Sequence, residues 1–244
     1  MKRTILWLCL SSLMLGLLSG CGSQGQAEDN VTVSTISLPG EVSEQSWTTA
    51  VETTEEARKQ GDVVISFPQL VGDWETANQL LRSDVDTFCE KQLKSGDSGA
   101  MTATVIPHQG VISVVTTGTL TRKDNSRTLL VYTTNLDRAT GERVSTGVRE
   151  HAETAAEQIL SGKATILESD STQKQEVTAY LKKLGKDKLT SLLRRCDLTD
   201  DDRTPECYSY YIDADSSEVG VYVPVGKKRG DFAIVLVDGA PWMT

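Results

Sequence analysis

The chain has 244 residues, of which 38% are hydrophobic and 5% aromatic, and its 25 Lys and Arg against 34 Asp and Glu give a formal charge of −9. That balance argues against nucleic acid as a partner, since such binding rests on Lys and Arg neutralising phosphates, and against a polybasic grip on anionic lipid. The roughly 180 residues between Asp62 and Val237 are enough to bury one domain core or those of two small lobes.

In chain order, the first feature is a leader. Lys2 and Arg3 precede an apolar run from Ile5 to Leu18, followed by Leu18-Ser19-Gly20-Cys21. A basic start, a short apolar stretch and small residues at the cut site are the marks of a secretory signal. A cysteine directly after Leu-Ser-Gly resembles the lipobox of bacterial lipoproteins. This resemblance implies that residues 1–20 are removed, that Cys21 carries a diacylglycerol, and that the remainder sits on the extracytoplasmic face of the cell membrane. Loss of Lys2 and Arg3 takes the formal charge from −9 to −11. The apolar run, about 14 residues, falls short of the roughly 20 that a spanning helix needs.

Residues 21–61 are rich in Ser, Thr, Gln and Glu with scattered apolar positions, so they are expected to form a disordered tether, with at most a brief helix near 55–59. Residues 62–67 read as a strand closed by Pro68. Trp74, Ala77, Leu81, Val85 and Phe88 fall on one stripe of an amphipathic helix that ends by Gly96. Residues 101–106, 110–120 and 127–135 read as three strands with short links, which predicts an antiparallel meander.

A second helix is expected over 148–160, stopped by Gly162. A third is expected from Thr172, whose spacing to Gln175 suits a capping box, and runs to Gly185 with a short continuation carrying Leu189, Leu192, Leu193 and Cys196. Three more strands follow at 207–212, 219–225 and 231–237. Elements in blocks rather than in alternation predict an α+β fold, with antiparallel sheets packed against two to three helices in the order β-α-βββ-αα-βββ.

Three cysteines remain after the leader and the lipid site. Cys196 and Cys207 close a short loop, and in an oxidising compartment a bridge there is worth about 3 kcal/mol; two reduced thiols are the alternative. Cys89 follows Phe88 on the apolar face of the first helix and reads as a buried thiol.

Several short motifs resemble a known family. Phe67-Pro68-Gln69-Leu70 followed by Asn78, the strand Gly110-Val111-Ile112-Ser113-Val114, and Asn135-Leu136-Asp137 with Thr140-Gly141 are similar to the DUF4163 domain. Residues 208–212, Val221-Tyr222-Val223-Pro224-Val225 and Gly230-Asp231-Phe232 resemble the terminal strands of DUF3298. Together these make the extracytoplasmic module of RsiV-type anti-sigma factors and PdaC-type peptidoglycan deacetylases, here spanning 62–244. A Gly-Gly-Ala-His stretch common in the family is replaced by Thr117-Gly118-Thr119-Leu120-Thr121-Arg122. The chain contains neither a sigma-binding region nor a deacetylase domain. The resemblance implies an exported module that binds or senses cell-wall glycan or a secreted protein such as lysozyme.

The chemical candidates are few. His108 lies in a turn and His151 at a helix start, without the partnering ligands of a zinc site, and no cofactor, metal site or catalytic residue is assigned. Asp197, Asp200, Asp201, Asp202 and Glu206, or Asp213, Asp215 and Glu218, offer oxygens of the kind calcium takes but lack the EF-hand order, and solvated turns are the expected reading. Tyr208, Tyr210, Tyr211 and Tyr222 are the candidate binding face, because alternate residues of a strand face opposite sides and an exposed aromatic set suits a sugar or protein partner. The expectation is a lipid-anchored, non-catalytic binding or sensing module that touches the membrane through the Cys21 lipid and binds no nucleic acid. The alternatives are an extracytoplasmic hydrolase using His108 or His151, and a structural envelope or spore-surface lipoprotein.

Overall fold

The computed structural model describes residues 51–108, 110–168, 170–197, 205–212 and 216–240. The leader, Cys21 and Trp47, together with Asp200, Asp201, Asp202, Asp213, Asp215 and Trp242, lie outside the described residues. The described part is α+β, with nine strands in two sheets and four α-helices.

The first sheet is built from β1 (Thr53–Gln60), β2 (Asp62–Leu70), β3 (Ser98–His108), β4 (Val111–Thr121) and β5 (Arg127–Asp137), in that spatial order. A tight turn at Gly61, with φ of 61°, joins β1 to β2 antiparallel. The meander β3-β4-β5 is antiparallel as expected. Helix α1 (Glu75–Gln92) carries the chain from β2 to β3, and a crossover of this kind leaves its two flanking strands parallel. Ala77, Leu81, Val85 and Phe88 of α1 are buried against Val63, Ile65, Met101, Leu120 and Tyr132, the centre of the first core.

The second sheet has the order β6-β9-β8-β7, from β6 (Thr165–Ile166), β7 (Tyr208–Tyr211), β8 (Glu218–Gly226) and β9 (Asp231–Asp238), all antiparallel. The alternation Val219, Val221, Val223, Val225 on β8 and Ala233, Val235, Val237 on β9 turns one face to a second core. Helices α2 (Ala152–Ser161), α3 (Ser171–Leu184) and α4 (Lys186–Leu193) close that core with Ala155, Ala156, Val177, Leu181, Leu189 and Leu193. Each buried aliphatic side chain in these cores contributes roughly 1.5–3 kcal/mol over its exposed state.

The structure corrects several expectations. Residues 53–60, read as the end of a tether, form strand β1, whose polar side chains face solvent and pair with α1 through Arg58–Asp86 and Glu56–Arg82. The continuation after Gly185 is a separate fourth helix, and the two-residue β6 carried too little pattern to be seen. Helix α2 starts at Ala152 rather than 148, with Val148 buried in the preceding turn. The cap of α3 is Asp170, whose carboxylate accepts from the Thr172 amide at 2.9 Å, in place of a Thr172–Gln175 box. A carboxylate at that end also meets the favourable pole of the helix dipole.

Candidate functional site

The residues with the strongest motif signal turn out to brace the fold. The Asn78 side chain accepts from the Leu70 amide at 2.8 Å and donates to the Leu70 carbonyl at 2.9 Å, tying the end of β2 to α1. Asp137 takes the Ala139 and Thr140 amides at 2.8 Å each and shapes the turn into Gly141, which has φ of 71° and lies against Ala77. Asp231 accepts from the Leu129 amide at 2.7 Å, joining the two sheets.

A second polar group fills the seam around β7. Every second residue of β7 turns its amide and carbonyl away from β8, and these outward groups are met by side chains. The Ser209 amide donates to Asp197 Oδ1 at 2.7 Å, the Ser209 carbonyl accepts from Asn135 Nδ2 at 3.0 Å, and the Tyr211 amide donates to Ser113 Oγ at 3.0 Å. Ser113 Oγ in turn donates to Asn135 Oδ1 at 2.6 Å, and Asp197 also accepts from Ser209 Oγ at 2.7 Å and Thr133 Oγ1 at 3.2 Å. A strand edge that is otherwise a template for pairing is thereby satisfied from within.

Asp197 sits at φ of 69°, directly after the disulfide that joins Cys196 to Cys207 across a sequence separation of 11. Burial pushes its carboxyl above the usual carboxylate range, with the hydrogen bonds from Ser209 and Thr133 pulling the other way. Its oxygens are therefore committed, and Glu206 pairs with Arg195 at 2.6 Å, so neither holds the open carboxylate that a calcium loop needs. Among the described residues no cluster of His, Cys, Asp or Glu is arranged as a metal site.

The tyrosines do not form an exposed face. Tyr208, Tyr210 and Tyr211 are 3%, 7% and 8% exposed and Tyr222 is half-buried. Tyr208 and Tyr222 pack into the first core and Tyr211 into the second, because β7 lies between the two and buries both of its faces. Tyr210 lies across Gly220, where an added Cβ would come within 2.5 Å of the ring, and meets Tyr222 with ring centroids 5.5 Å apart in a tilted arrangement.

His108 is likewise structural in its contacts, stacked at 4.6 Å on Tyr211 with Nε2 3.1 Å from the Ser216 carbonyl oxygen. His151 is an exposed residue at the start of α2. Cys89 is buried as expected, and desolvation pushes its thiol up. An ion pair between the buried Asp84 of α1 and Arg143, with Thr134 donating to the same carboxylate, is not legible in the apolar stripe of the helix.

The concave surface lies elsewhere, on either side of α3. One groove of about 490 Å³ is lined by Tyr180, Leu184, Lys183, Lys188, Glu176 and Arg229. A neighbouring one of about 440 Å³ runs along Ser171, Lys174, Thr178 and Lys182, and Ala179 borders both. The Arg229 guanidinium lies 4.7 Å above the Tyr180 ring and donates from Nη1 to the Val225 carbonyl at 3.2 Å.

No protein-family model matches the chain, and no curated protein matches it. Among solved structures, the chain is similar to a DUF3298 family protein from Pseudomonas aeruginosa PAO1, at 14% identity and a TM-score of 0.38, over 70% of this chain and 82% of that one. Among the described residues no helix is long and apolar enough to cross a membrane.

Proposed function

We propose that this chain is a lipid-anchored extracytoplasmic binding module of the DUF4163/DUF3298 kind, held to the membrane through Cys21 and taking a cell-wall glycan as its ligand. The observation that carries the reading is the division of labour among its polar residues. Asn78, Ser113, Asn135, Asp137 and Asp231, polar residues of the motifs, spend their side chains on hydrogen bonds within the chain, while the open grooves beside α3 carry side chains turned to solvent. A scaffold of this kind presents a surface and leaves its buried polar groups to hold that surface in place. The disulfide between Cys196 and Cys207 fits an exported chain.

The anchor is tested by fractionation. The exported chain partitions with membranes and Cys21→Ala releases it, since no other atom takes the lipid; membrane retention of the cleaved variant refutes the anchor. The ligand is tested by sedimentation of the full chain with purified wall fragments and, separately, by capture on immobilised lysozyme. Sedimentation with the wall is the expected outcome. Capture by lysozyme alone replaces the glycan with a secreted protein, and binding to neither removes the proposed function.

A further inference from the structure

The grooves beside α3 have a charge opposite to that of the molecule. Their walls hold five cations, Lys174, Lys182, Lys183, Lys188 and Arg229, against one carboxylate, Glu176, on a chain whose formal charge is −9. The nearby Lys186 and Arg194 are each engaged, with Glu157 at 2.6 Å and Glu153 at 2.7 Å. Among the described residues Lys174, Lys182, Lys183 and Lys188 have no such ion pair, and all four are exposed. Arg229 lines the larger groove with its guanidinium held over the Tyr180 ring and its Nη1 bonded to the Val225 carbonyl, which fixes this cation in place beside the exposed lysines.

We infer that the paired grooves of α3 bind an anionic glycan, a sugar chain carrying carboxylate groups at intervals. Lys174 and Lys182 stand eight residues apart, about 12 Å along the helix, and with Lys183 and Lys188 they spread positive charge over both grooves in place of one pocket. That distribution suits a polymer of repeated anions better than a single small anion. Between the cations the walls are Ala179, Tyr180 and Leu184, which offer apolar contact to the carbon faces of sugar rings. A groove admits a chain, whereas a flat bilayer surface reaches only its rims. The inference rests on the proposed function and names the site and the charge of its ligand.

The test measures binding of the full-length chain to polygalacturonate, with neutral dextran as the uncharged control. The groove variant carries Lys174→Gln, Lys182→Gln, Lys183→Gln and Lys188→Gln. A control variant with the same charge change carries Lys59→Gln, Lys94→Gln, Lys123→Gln and Lys163→Gln, all exposed and outside the grooves. The expected result is salt-sensitive binding to polygalacturonate and none to dextran, weakened about ten-fold in the groove variant and less than two-fold in the control. Equal loss in both variants, equal binding of dextran, or no binding of polygalacturonate overturns the inference. So does binding to phosphatidylglycerol vesicles or to duplex DNA at least as tight as to the polymer. Wall fragments separate this failure from that of the proposed function. If the wild type sediments with them and the groove variant does so equally, the groove assignment falls and the binding module stands; if neither sediments, the glycan-binding reading itself falls.

Discussion

The seam around β7 and the outer face of α3 treat polar groups in opposite ways. In the seam, Ser209, Asn135 and Ser113 are buried between two cores with Asp197 half-buried beside them, and each hydrogen bond there replaces one that water would otherwise make. On α3 and α4, the lysines of both grooves extend into solvent. The difference teaches where substitutions cost stability and where they cost binding. A buried group deprived of its partner loses its full solvation, while an exposed lysine loses almost nothing.

The sharpest way to break the comparison is Asp197→Ala. It strips the acceptor from the Ser209 amide and hydroxyl and from Thr133, and it places alanine at a positive φ, so a loss of about 3–4 kcal/mol is expected in denaturant unfolding. Asp197→Asn tolerates that backbone and keeps one acceptor, and should lose less. The same pair of proteins tests the carboxyl's ionisation. A folded-state pKa raised above the unfolded value near 3.8 means that the native state holds the proton more tightly. The contribution of Asp197 is then fully present below that value and declines as pH rises through the folded pKa; the Asn variant should lack this decline. A stability curve that climbs over the same window in the wild type alone would contradict the sign.

Reduction of the Cys196–Cys207 bridge, which adjoins the seam, is expected to cost about 3 kcal/mol. Among the described cysteines, thiol titration under denaturing, non-reducing conditions should find Cys89 alone reactive. Next in size is Gly220→Ala, whose new Cβ meets the Tyr210 ring at 2.5 Å, for a loss of about 2 kcal/mol measured by thermal unfolding. Asn78→Ala removes both bonds to Leu70 and should cost about 1–2 kcal/mol, again by denaturant titration. The smallest effect sharpens the contrast from the other side. The four groove lysine substitutions together should change stability by no more than about 0.5 kcal/mol while altering binding.

How much of this was legible differs element by element. The stripe of α1 and the alternating valines of β8 are local periodicities, and both appear in the structure as expected. Strand β1 has no such pattern, because Glu55, Glu56, Arg58 and Lys59 leave it little to bury and its order comes from pairing with β2. The alternation of Tyr208, Tyr210 and Tyr211 was readable, but their burial on both sides was not. Period two says that neighbours face opposite ways; whether a core waits on each side depends on β5 and α2, far away in the chain. Asp84 escaped for the same reason, since Arg143 and Thr134 reach it across 59 and 50 residues.

The sequence by itself determined what short-range chemistry decides: the α+β blocks of strands and helices, the helix stop at Gly162 and the burial of Cys89. Only the tertiary structure decided that β2 and β3 run parallel across α1, that the edge of β7 turned away from β8 is met by Asp197, Asn135 and Ser113, and that lysines of α3 and α4 line two grooves, one of them together with Arg229. Caps, turns and periodicity act within a few residues, so they can be read along the chain. A hydrogen bond or a shared groove between residues 50 to 100 positions apart depends on how whole elements pack, and nothing in the local pattern records it.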